Sequence, residues 1–372
     1  MEAEEFLLNA RIRVFIAIAQ SILFLGHLLV YETWSYFFGA SGTALRIAMA
    51  LLSVSFVSAS VLAFRHCNRA VRLFYTLSSI WLGILNFLFL AACLCWIVYG
   101  AVVLTGAPVA RAALAAIVFG LAAATSLYGF INGSWIRVRR IKVRLTGLPE
   151  SWRGRVAAIV SDTHLGHVRG VGFISRIVAM LRQLQPDIVF IAGDLYDGTR
   201  VEPKRLAAPW KRLDPPLGTY FVTGNHEEFS HPEQYVEVLR CCGVRGLRNE
   251  KVMVDGLQVI GVTYETLSKP ERLDAVLEKV EVNPESASIL LAHAPAGLSV
   301  AEKRGITLQL SGHTHGGQVF PFTWFTRRIF REFTYGLHRH GALTVYTSSG
   351  AGTWGPPMRV GSRPEIVLIE FE

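Results

Sequence analysis

Long apolar runs separated by short polar segments fill the first third of the chain, and shorter mixed runs follow to its end. Four of the long runs reach the roughly 20 apolar residues that a helix needs to cross a bilayer. A helix suits lipid because it satisfies its own backbone hydrogen bonds. The pattern therefore predicts an all-α region of four transmembrane helices, at residues 14–34, 45–64, 77–104 and 112–131.

Two other interpretations of the apolar runs are less favoured. A cleaved signal peptide would explain only the first run, whose core is longer than usual and which three more runs follow. A buried bundle of soluble helices is disfavoured because the third and fourth runs are nearly free of charge. In the middle of the first run His27 is the only ionisable side chain, with Glu32 near the end of the run, and a proton or ion pathway normally needs such groups along it. We therefore expect the helices to act as an anchor.

Beyond residue 150, short β-rich segments alternate with amphipathic helical patterns, which favours an α/β layered fold. We expect a transmembrane anchor at 1–134, a basic juxtamembrane connector at 135–154 and a separate folded domain at 155–372. The predicted strands are 155–161, 188–192, 219–223, 258–262, 288–292, 307–310, 343–347 and 365–370. The predicted helices are 171–184, 232–242, 271–280 and 296–304.

The charges between the apolar runs predict the orientation of the chain, because Lys and Arg accumulate in cytoplasmic loops. Every basic cluster falls on one side of the membrane if the N-terminus is inside. The loops on the other side offer only Arg46, opposed by Glu32, and Arg111. The C-terminal domain then faces the cytoplasm. The clusters are Arg11 and Arg13; Arg65, Arg69 and Arg72; and Arg137, Arg139, Arg140, Lys142 and Arg144.

Composition narrows the class of the second half. Residues 1–150 carry 12 Lys and Arg against 5 Asp and Glu, so +7 of the net charge of +9 lies in the apolar part. The small remainder gives little support to a nucleic-acid surface on the second half. The five cysteines include no C-x-x-C pair, which argues against a zinc ribbon or a disulfide framework and favours a reduced, cytoplasmic setting.

Acidic, amide and imidazole side chains stand just past five of the predicted strands. Ligand sites in open α/β sheets gather at the carboxyl ends of strands, so five segments converge on one edge. In D-x-H and H-x-H pairs, residues i and i+2 of an extended chain lie on the same side. The side chains are Asp162 and His164; Asp194 and Asp197; Asn225, His226 and Glu227; His293; and His313 and His315.

These side chains offer hard oxygen and imidazole ligands without thiolate. That set suits Mn²⁺, Fe²⁺ or Zn²⁺ better than Ca²⁺ or a structural zinc site. A single His or Asp at a strand end is usually a cap or a turn residue. Five such motifs in series favour a metal centre over that structural interpretation.

The five motifs, in this order and spacing, resemble those of the calcineurin-like metallophosphoesterase superfamily. The resemblance covers about residues 156–372. The segment 312–318 (GHTHGGQ) and the tail at 349–366 are similar to one branch, the bacterial membrane-associated phosphodiesterases. The resemblance implies a four-layer double β-sandwich flanked by helices, held at the bacterial inner membrane.

The resemblance also implies roles for individual residues. Two divalent metal ions are implied, with Asp194 bridging them. His226 matches the general acid of the family, and Asp197 matches an acid that orients a metal ligand. The first metal would bind Asp162, His164, Asp194 and His315, and the second would bind Asp194, Asn225, His293 and His313.

Two ions that share a carboxylate can hold phosphate oxygens and lower the pKa of a bound water from about 15.7 to about 7. We expect a hydrolase of a phosphodiester or pyrophosphate, with a lipid-linked substrate at the bilayer surface. The UDP-2,3-diacylglucosamine pyrophosphatases of lipid A synthesis are similar in superfamily and location. A nuclease or cyclic-nucleotide phosphodiesterase is the first alternative, and a non-catalytic membrane-tethered metal-binding sensor is the second. The sequence makes no prediction about protein partners.

Two segments depart from patterns found in the superfamily. The run 193–199 (GDLYDGT) lacks the arginine that the Ser/Thr protein phosphatases use on phosphate, which disfavours a phosphoprotein substrate. Thr263, Tyr264 and Glu265 stand where many relatives of the membrane branch place an aspartate pair. The substrate-side loop is therefore the part of the site that the resemblance predicts least.

Aromatic and basic residues interleave at 320–335 (FPFTWFTRRIFREFTY), directly after the metal-binding histidines. A packed cap over the domain is the favoured interpretation. The second is an interfacial segment that leans on lipid headgroups and lets a lipid tail approach the metals. Stacking on single-stranded nucleic acid uses the same residue types and comes third, because the chain has a membrane anchor.

Overall fold

The structure, a computed structural model, describes residues 2–229 and 232–372, with side chains from residue 13 onward. It divides into two compact units between Phe130 and Ile131. The first unit holds most of the long apolar helices. The second begins with the last four residues of the fourth helix.

The predicted four apolar helices are confirmed. They are α1 (Glu2–Phe38), α2 (Thr43–Arg65), α3 (Arg69–Leu104) and α4 (Arg111–Ser134). Each carries a stretch long and apolar enough to cross a membrane, which in α1 begins at Arg13. Large apolar side chains along them stay exposed, for example Phe15 at 71% and Ile97 at 68%. Contiguous apolar surface of this kind is what lipid covers.

His27, in the middle of the first predicted span, is bonded at both ring nitrogens. Its Nδ1 donates to the Leu23 carbonyl at 2.7 Å, and its Nε2 accepts from Trp81 Nε1 at 2.8 Å. One neutral tautomer satisfies both bonds, so the ring serves as a helix-packing group. This agrees with helices that act as an anchor.

The second unit is built on two sheets. Its strands are β1 (Arg137–Val143), β2 (Val156–Val160), β3 (Ile188–Ala192), β4 (Thr219–Val222), β5 (Val244–Gly246), β6 (Glu250–Val254), β7 (Leu257–Gly261), β8 (Ser288–Leu291), β9 (Leu308–Ser311), β10 (Gly336–His340), β11 (Leu343–Thr347) and β12 (Glu365–Phe371). The first sheet has the order β1-β12-β2-β3-β4-β5, and the second has the order β10-β11-β9-β8-β7-β6. Neighbouring strands run parallel from β2 to β5 in the first sheet and from β7 through β8 and β9 to β11 in the second.

Short helices follow the strands in the described part of the second unit. They are α5 (Val171–Leu184), α6 (Pro203–Ala207), α7 (Asn225–Glu228), α8 (Pro232–Arg240), α9 (Tyr264–Leu267), α10 (Pro270–Lys279), α11 (Leu298–Lys303) and α12 (Phe322–Phe330). One core joins α5, α6 and α8 to the first sheet, and another joins α10 and α11 to the second. A central core joins the inner faces of the two sheets, for example Ile159 and Phe190 to Val259 and Ile289. The predicted four-layer double β-sandwich is thereby confirmed.

The eight predicted strands and four predicted helices are present to within two residues at each end. Strands β1, β5, β6 and β10 are additional to the prediction. In β1, four of seven residues are basic, and exposed positions alternate with partly buried ones. Charged side chains are typical of an edge strand. They interrupt the alternation of apolar and polar residues from which a strand is predicted. β1 nevertheless pairs in parallel with β12 from Arg137 opposite Glu365 to Val143 opposite Phe371.

The segment 320–335 packs on the domain only in its last part, where Phe333 contacts the core and Thr334 is buried. Helix α12 occupies most of it, and Thr323 is the one residue of that helix that is buried. The side chains of Phe322, Trp324 and Phe325 are about half exposed, and Ile329 is more exposed still. A cap would bury these rings, so the aromatic face of α12 lies open.

Candidate metal centre

Both sheets deliver side chains to one edge of the sandwich. In the first sheet, Asp162 lies two residues beyond β2, Asp194 two beyond β3 and Asn225 three beyond β4. In the second sheet, His293 and His313 each lie two residues beyond a strand, β8 and β9 respectively. Because these strands run parallel within each sheet, their carboxyl ends meet at one edge, as the sequence predicts.

The first ligand group consists of Asp162, His164 and His315. The Nε2 atoms of the two histidines lie 2.9 Å apart, with their rings stacked at 4.9 Å. The Nε2 of His315 lies 3.5 Å from Asp162 Oδ1. All three side chains therefore offer a ligand atom to one point.

The second ligand group consists of Asp194, His293 and His313. The Nε2 of His293 lies 3.1 Å from Asp194 Oδ2 and 3.2 Å from His313 Nδ1. Asn225 joins this group, because its Oδ1 lies 3.2 Å from the same nitrogen. Asp194 Oδ2 also lies 3.8 Å from His164 Nε2, which belongs to the first group. The Asp194 carboxylate thus faces both groups.

The chemistry of the second group calls for a cation. The Nδ1 of His293 donates to the Ala192 carbonyl at 2.8 Å, so in the neutral ring Nε2 carries a lone pair. That lone pair faces a carboxylate oxygen of Asp194 and the amide oxygen of Asn225, which accept hydrogen bonds but cannot donate them. Burial opposes protonation of His293, but Asp194 and then Asp162 outweigh it and raise its pKa to about 10. A divalent ion would meet the same demand for positive charge.

The ligand spacing also suits a metal. Ligands about 2.0–2.3 Å from a four-coordinate ion lie roughly 3–3.7 Å from one another. The closest pairs of nitrogen and oxygen atoms within the two groups lie 2.9–3.5 Å apart, and the His and Asp ligand atoms of each group all lie within 4.8 Å of one another. Burial, and then the positive charge near His293, lowers the pKa of His313 to about 4. That imidazole is neutral at pH 7, which is the form that binds metal.

The carboxylate of Asp162 is fully buried. Burial, reinforced by the charge of Asp194, raises its pKa to about 6, although His293 and the backbone N–H of His313 oppose the rise. Its two oxygens accept from the His313 N–H at 3.0 and 3.1 Å. These hydrogen bonds orient the carboxylate. A bound cation would offset the unfavourable free energy of burying its negative charge.

Five of the seven predicted ligands adopt left-handed backbone conformations. The backbone φ angle is 51° at Asp162, 47° at His164, 50° at Asp194, 70° at His313 and 52° at His315. Such values are uncommon outside glycine and cost about 1–3 kcal/mol each. Strain concentrated on one set of residues supports a functional role for that set.

Glycine is required at two positions beside these ligands. Gly193 has φ = 83°, and a Cβ atom there would lie 2.5 Å from His293 Nδ1. Gly350 has φ = 79°, and a Cβ atom there would lie 2.6 Å from the Asp162 Cβ. A larger residue at either position would push a ligand away from the centre.

His226 lies at the rim of the centre. Its Nδ1 donates to the Asp197 carbonyl at 2.8 Å, and its Nε2 lies 3.9 Å from Asp194 Oδ2. The ring is flanked by Trp354 at 5.5 Å and Phe229 at 5.3 Å, both exposed. The fixed Nδ1 aims Nε2 at the centre, where it can transfer a proton or complete a group with His164 and Asp194.

Asp197 acts through its backbone. Its carboxylate accepts from the backbone N–H and hydroxyl of Thr199 at 2.9 and 2.5 Å and from the His167 N–H at 3.3 Å. These bonds fix the loop, and the carbonyl of Asp197 then orients His226. The role that the resemblance implies for Asp197, orienting a metal ligand, stays a prediction.

Tyr264 lies beside the second ligand group. Its ring centre lies 5.6 Å from that of His313 and 5.8 Å from that of His293. The segment that the resemblance predicts least therefore places an aromatic ring beside these histidines.

Two residues in the site have roles that the sequence motifs leave unassigned. Buried Glu227 accepts from the backbone N–H groups of Asp194 at 3.0 Å, Gly224 at 2.7 Å and Tyr196 at 2.8 Å. Burial, with the charge of Asp194, raises its pKa to about 8. Glu227 thus connects the loops after β3 and β4, and its place in the run GNHE is the one signal that could have indicated it.

Arg359 is the second such residue, and it is fully buried. Its guanidinium donates to the carbonyl groups of His315 at 2.6 Å, Ser349 at 2.7 Å and Gly352 at 2.6 Å. Its Nη2 lies 3.2 Å from His315 Nδ1. The arginine therefore fixes the backbone that carries a predicted metal ligand.

Comparisons with known proteins identify the family that this chain resembles. Residues 156–317 match the family model described as calcineurin-like phosphoesterase. A Danio rerio transmembrane protein with metallophosphoesterase domain is 34% identical over 67% of this chain and 60% of its own length. An uncharacterized metallophosphoesterase of Aquifex aeolicus is 30% identical over 66% of this chain and 95% of its own length.

An uncharacterized metallophosphoesterase of Helicobacter pylori is 34% identical over 57% of this chain and 58% of its own length. The chain thus spans about three fifths of the Danio rerio and Helicobacter pylori relatives. Among solved structures, a 5'-nucleotidase precursor from Thermus thermophilus matches with a TM-score of 0.35 and 14% identity, over 57% of this chain and 54% of that one.

Proposed function

We propose that this chain, which belongs to the calcineurin-like phosphoesterase family, is a membrane-anchored hydrolase that uses two divalent metal ions to cleave a phosphodiester or pyrophosphate. The observation that carries the proposal is the Asp194 carboxylate, which faces both the His164 side and the His293 side of a buried His/Asp cluster. A shared carboxylate is the arrangement that holds two ions close enough to act on one phosphate.

Bound metal would supply Lewis-acid activation of the phosphate and an activated water, as in other two-metal hydrolases. Asp162, His164 and His315 would hold one ion. Asn225, His293 and His313 would hold the other, with Asp194 shared. Mn²⁺, Fe²⁺ and Zn²⁺ all suit this mixture of imidazole, carboxylate and amide oxygen. Burial of the ligands excludes bulk water and strengthens their hold on substrate charge.

His226 would protonate the leaving oxygen. Its Nδ1 proton is committed to the Asp197 carbonyl, so the acidic proton has to sit on Nε2 of the imidazolium form. That nitrogen faces the centre and lies 3.9 Å from Asp194 Oδ2. After transfer, the ring remains held at Nδ1 in a single orientation.

We further propose that the substrate is lipid-linked. Four apolar helices in the same chain support a place at a bilayer, and a relative from Danio rerio is named as a transmembrane protein. The exposed rings of Phe229 and Trp354 beside His226 suit a substrate with an apolar part. On loop charge, the protein is a four-pass protein of the bacterial inner membrane whose catalytic unit faces the cytoplasm.

Metal analysis combined with a chromogenic diester tests this function. The full-length protein should bind two divalent ions per chain and hydrolyse bis-p-nitrophenyl phosphate only when Mn²⁺, Fe²⁺ or Zn²⁺ is present. Metal binding without turnover on any diester or pyrophosphate would instead favour a sensor. Comparison of extracted lipid phosphates with nucleic acids and cyclic nucleotides as substrates then separates the lipid-linked proposal from a nuclease or cyclic-nucleotide phosphodiesterase.

A further inference from the structure

Helix α12 presents an aromatic and basic face to the outside of the catalytic unit. Phe320, Phe322, Trp324 and Phe325 are each about half exposed, and Ile329 is 72% exposed. Exposure of such a face to water is unfavourable, because the free energy of hydration rises with the apolar area exposed. Single exposed apolar residues are ordinary, whereas a contiguous group on one amphipathic helix indicates a contact surface.

The charges on the same segment indicate what that surface contacts. Arg327 and Arg328 lie in α12 and Arg331 follows it, while the helix itself carries no acidic residue. The Arg328 guanidinium lies over the Trp324 ring at 4.6 Å, which holds a cation at the edge of the aromatic face. Aromatic rings bordered by arginine are the composition of helices that lie in the headgroup layer of a membrane.

We propose that the face formed by Phe320, Phe322, Trp324, Phe325 and Ile329 inserts into the headgroup layer of the bilayer that holds the four apolar helices. This deepens the proposed function, on which it depends for the membrane location but not for catalysis. The ligand class is an anionic phospholipid surface. The arginines of the segment add electrostatic attraction to such a surface, and salt screens that part of the binding.

The position of α12 within the catalytic unit agrees with this partner. Asn132, in the last turn of α4, donates to the carbonyl groups of Arg359 and Ser362, both at 2.9 Å. The same loop meets the start of the aromatic segment, because the Phe320 N–H donates to the Val360 carbonyl at 2.9 Å. One short loop therefore separates the aromatic face from the residues where the chain leaves its last apolar helix.

A second contact joins the C-terminal end of the segment 320–335 to the residues that follow α4. Strand β1 follows α4 directly, and its Arg139 guanidinium lies over the Tyr335 ring at 4.9 Å. Trp135, between α4 and β1, is 63% exposed and carries Arg137 over its ring at 4.6 Å. Aromatic and basic groups thus continue from the end of α4 toward α12.

Residues at both ends of the aromatic face are also connected to side chains of the metal centre. Phe330, the last residue of α12, has its ring 5.9 Å from that of His313. On the other side, Gln318 donates to the Trp354 carbonyl at 2.9 Å, and Trp354 flanks His226 at 5.5 Å. A phosphate ester with acyl chains could keep those chains on the bilayer side of α12 while its phosphate reaches the ligands.

Depth-dependent quenching in vesicles tests the contact with the full-length protein. An environment-sensitive dye is attached at Phe325→Cys, in a background where the exposed Cys67 and Cys241 are replaced by Ser. The matched control carries the dye at Ala275→Cys, an exposed position on the amphipathic helix α10. The protein is reconstituted in phosphatidylcholine vesicles with or without phosphatidylglycerol.

Lipids brominated in the acyl chain should quench the dye at 325 and leave the dye at 275 unaffected, and aqueous iodide should do the reverse. Changing Arg327, Arg328 and Arg331 to Gln should reduce the quenching at 325 in phosphatidylglycerol vesicles and leave it unchanged in phosphatidylcholine. Iodide quenching at 325 equal to that at 275 would overturn the proposal. Shielding of the dye from both quenchers would also overturn it and would indicate a protein partner or a second copy.

These measurements require no turnover, so they separate the two proposals. Bromolipid quenching at 325 in a protein that hydrolyses neither a diester nor a pyrophosphate would leave the membrane contact standing and remove the proposed function. Hydrolysis with a dye at 325 that stays accessible to iodide would do the opposite.

Discussion

Asp194 is the residue on which both ligand groups depend, and its neighbours hold it in place. Its Oδ1 accepts from the His226 N–H at 3.0 Å, and its own N–H donates to Glu227 at 3.0 Å. Burial opposes ionisation of the carboxyl, but His293 outweighs burial and lowers the pKa of Asp194 below its usual range. The group is therefore ionised at neutral pH and ready to be shared by two cations.

Asp194→Asn should abolish turnover and release at least one metal ion. The amide keeps the shape of the side chain but removes the one carboxylate that faces both ligand groups. Metal content per chain and diester hydrolysis measure the two effects. Two ions per chain together with near-normal activity would show that the bridging assignment is wrong.

His226→Gln should leave both metals bound, because the seven predicted ligand positions remain intact. We expect a rate loss of about 10²–10⁴ with a poor leaving group, the usual range for general acid catalysis. The loss should be much smaller with p-nitrophenolate, which needs little protonation. An equal loss with both leaving groups, or a lower metal content, would make His226 a ligand.

Arg359→Lys should weaken metal binding by about 10- to 100-fold, the usual effect of losing a partner that orients a ligand. Lysine keeps the charge but cannot hold the carbonyl groups of His315, Ser349 and Gly352 together. Titration calorimetry with Mn²⁺ or Zn²⁺ measures the affinity. The control is Arg169→Lys, whose guanidinium donates to Gly133 and Thr353. Equal metal affinity in both variants would limit Arg359 to general stability.

The sequence predicts which residues come together better than it predicts what holds them. Ligand positions follow from strand ends and residue type, both of which are local features. The contact between Arg359 and His315 joins residues 44 positions apart, and it depends on a turn after β11 that no periodicity announces. The hydrogen bond from His226 to the Asp197 carbonyl cannot be predicted from the sequence either, because any residue at position 197 has a carbonyl group.

At the scale of secondary structure, hydrophobic pattern succeeds where burial is strong. Strands β2, β3 and β8 are almost entirely buried and are apolar enough to predict from sequence. Edge strand β1 is half exposed and basic, so its pattern resembles a solvated connector. In α12, pattern alone cannot tell an aromatic face that packs on protein from one that stays open, since both have helical spacing.

A triple Ser variant at Trp324, Phe325 and Ile329 should raise KM for a vesicle-embedded lipid phosphate roughly tenfold or more. These three apolar side chains supply binding energy only when a bilayer or an acyl chain is present. Activity on a small soluble diester should therefore stay nearly unchanged. Met253→Ser, which removes an exposed apolar side chain from β6, serves as the control. A lower melting temperature with parallel loss on both substrates would show that the helix packs on protein instead.

The charge distribution of the whole molecule supports one orientation. Of the 12 Lys and Arg in the first 150 residues, ten lie in the first part of α1, around the junction of α2 and α3, and after α4. These three regions would share one side of the membrane in a chain that crosses it four times. Positive residues are retained on the cytoplasmic side of short loops, so the catalytic unit that follows α4 should lie in the cytoplasm.

Impermeant cysteine labelling in intact cells tests this orientation. A cysteine at Ala40, between α1 and α2, should react, and one at Lys211, exposed in the catalytic unit, should react only after the cells are opened. Both cysteines are placed in a background where Cys67 and Cys241 are replaced by Ser, and labelling in opened cells shows that each is reachable. The reverse pattern would place the metal centre outside, because a domain that follows an even number of spans shares its side with the N-terminus. A cytoplasmic lipid phosphate could then no longer be the substrate, whatever the metal centre binds.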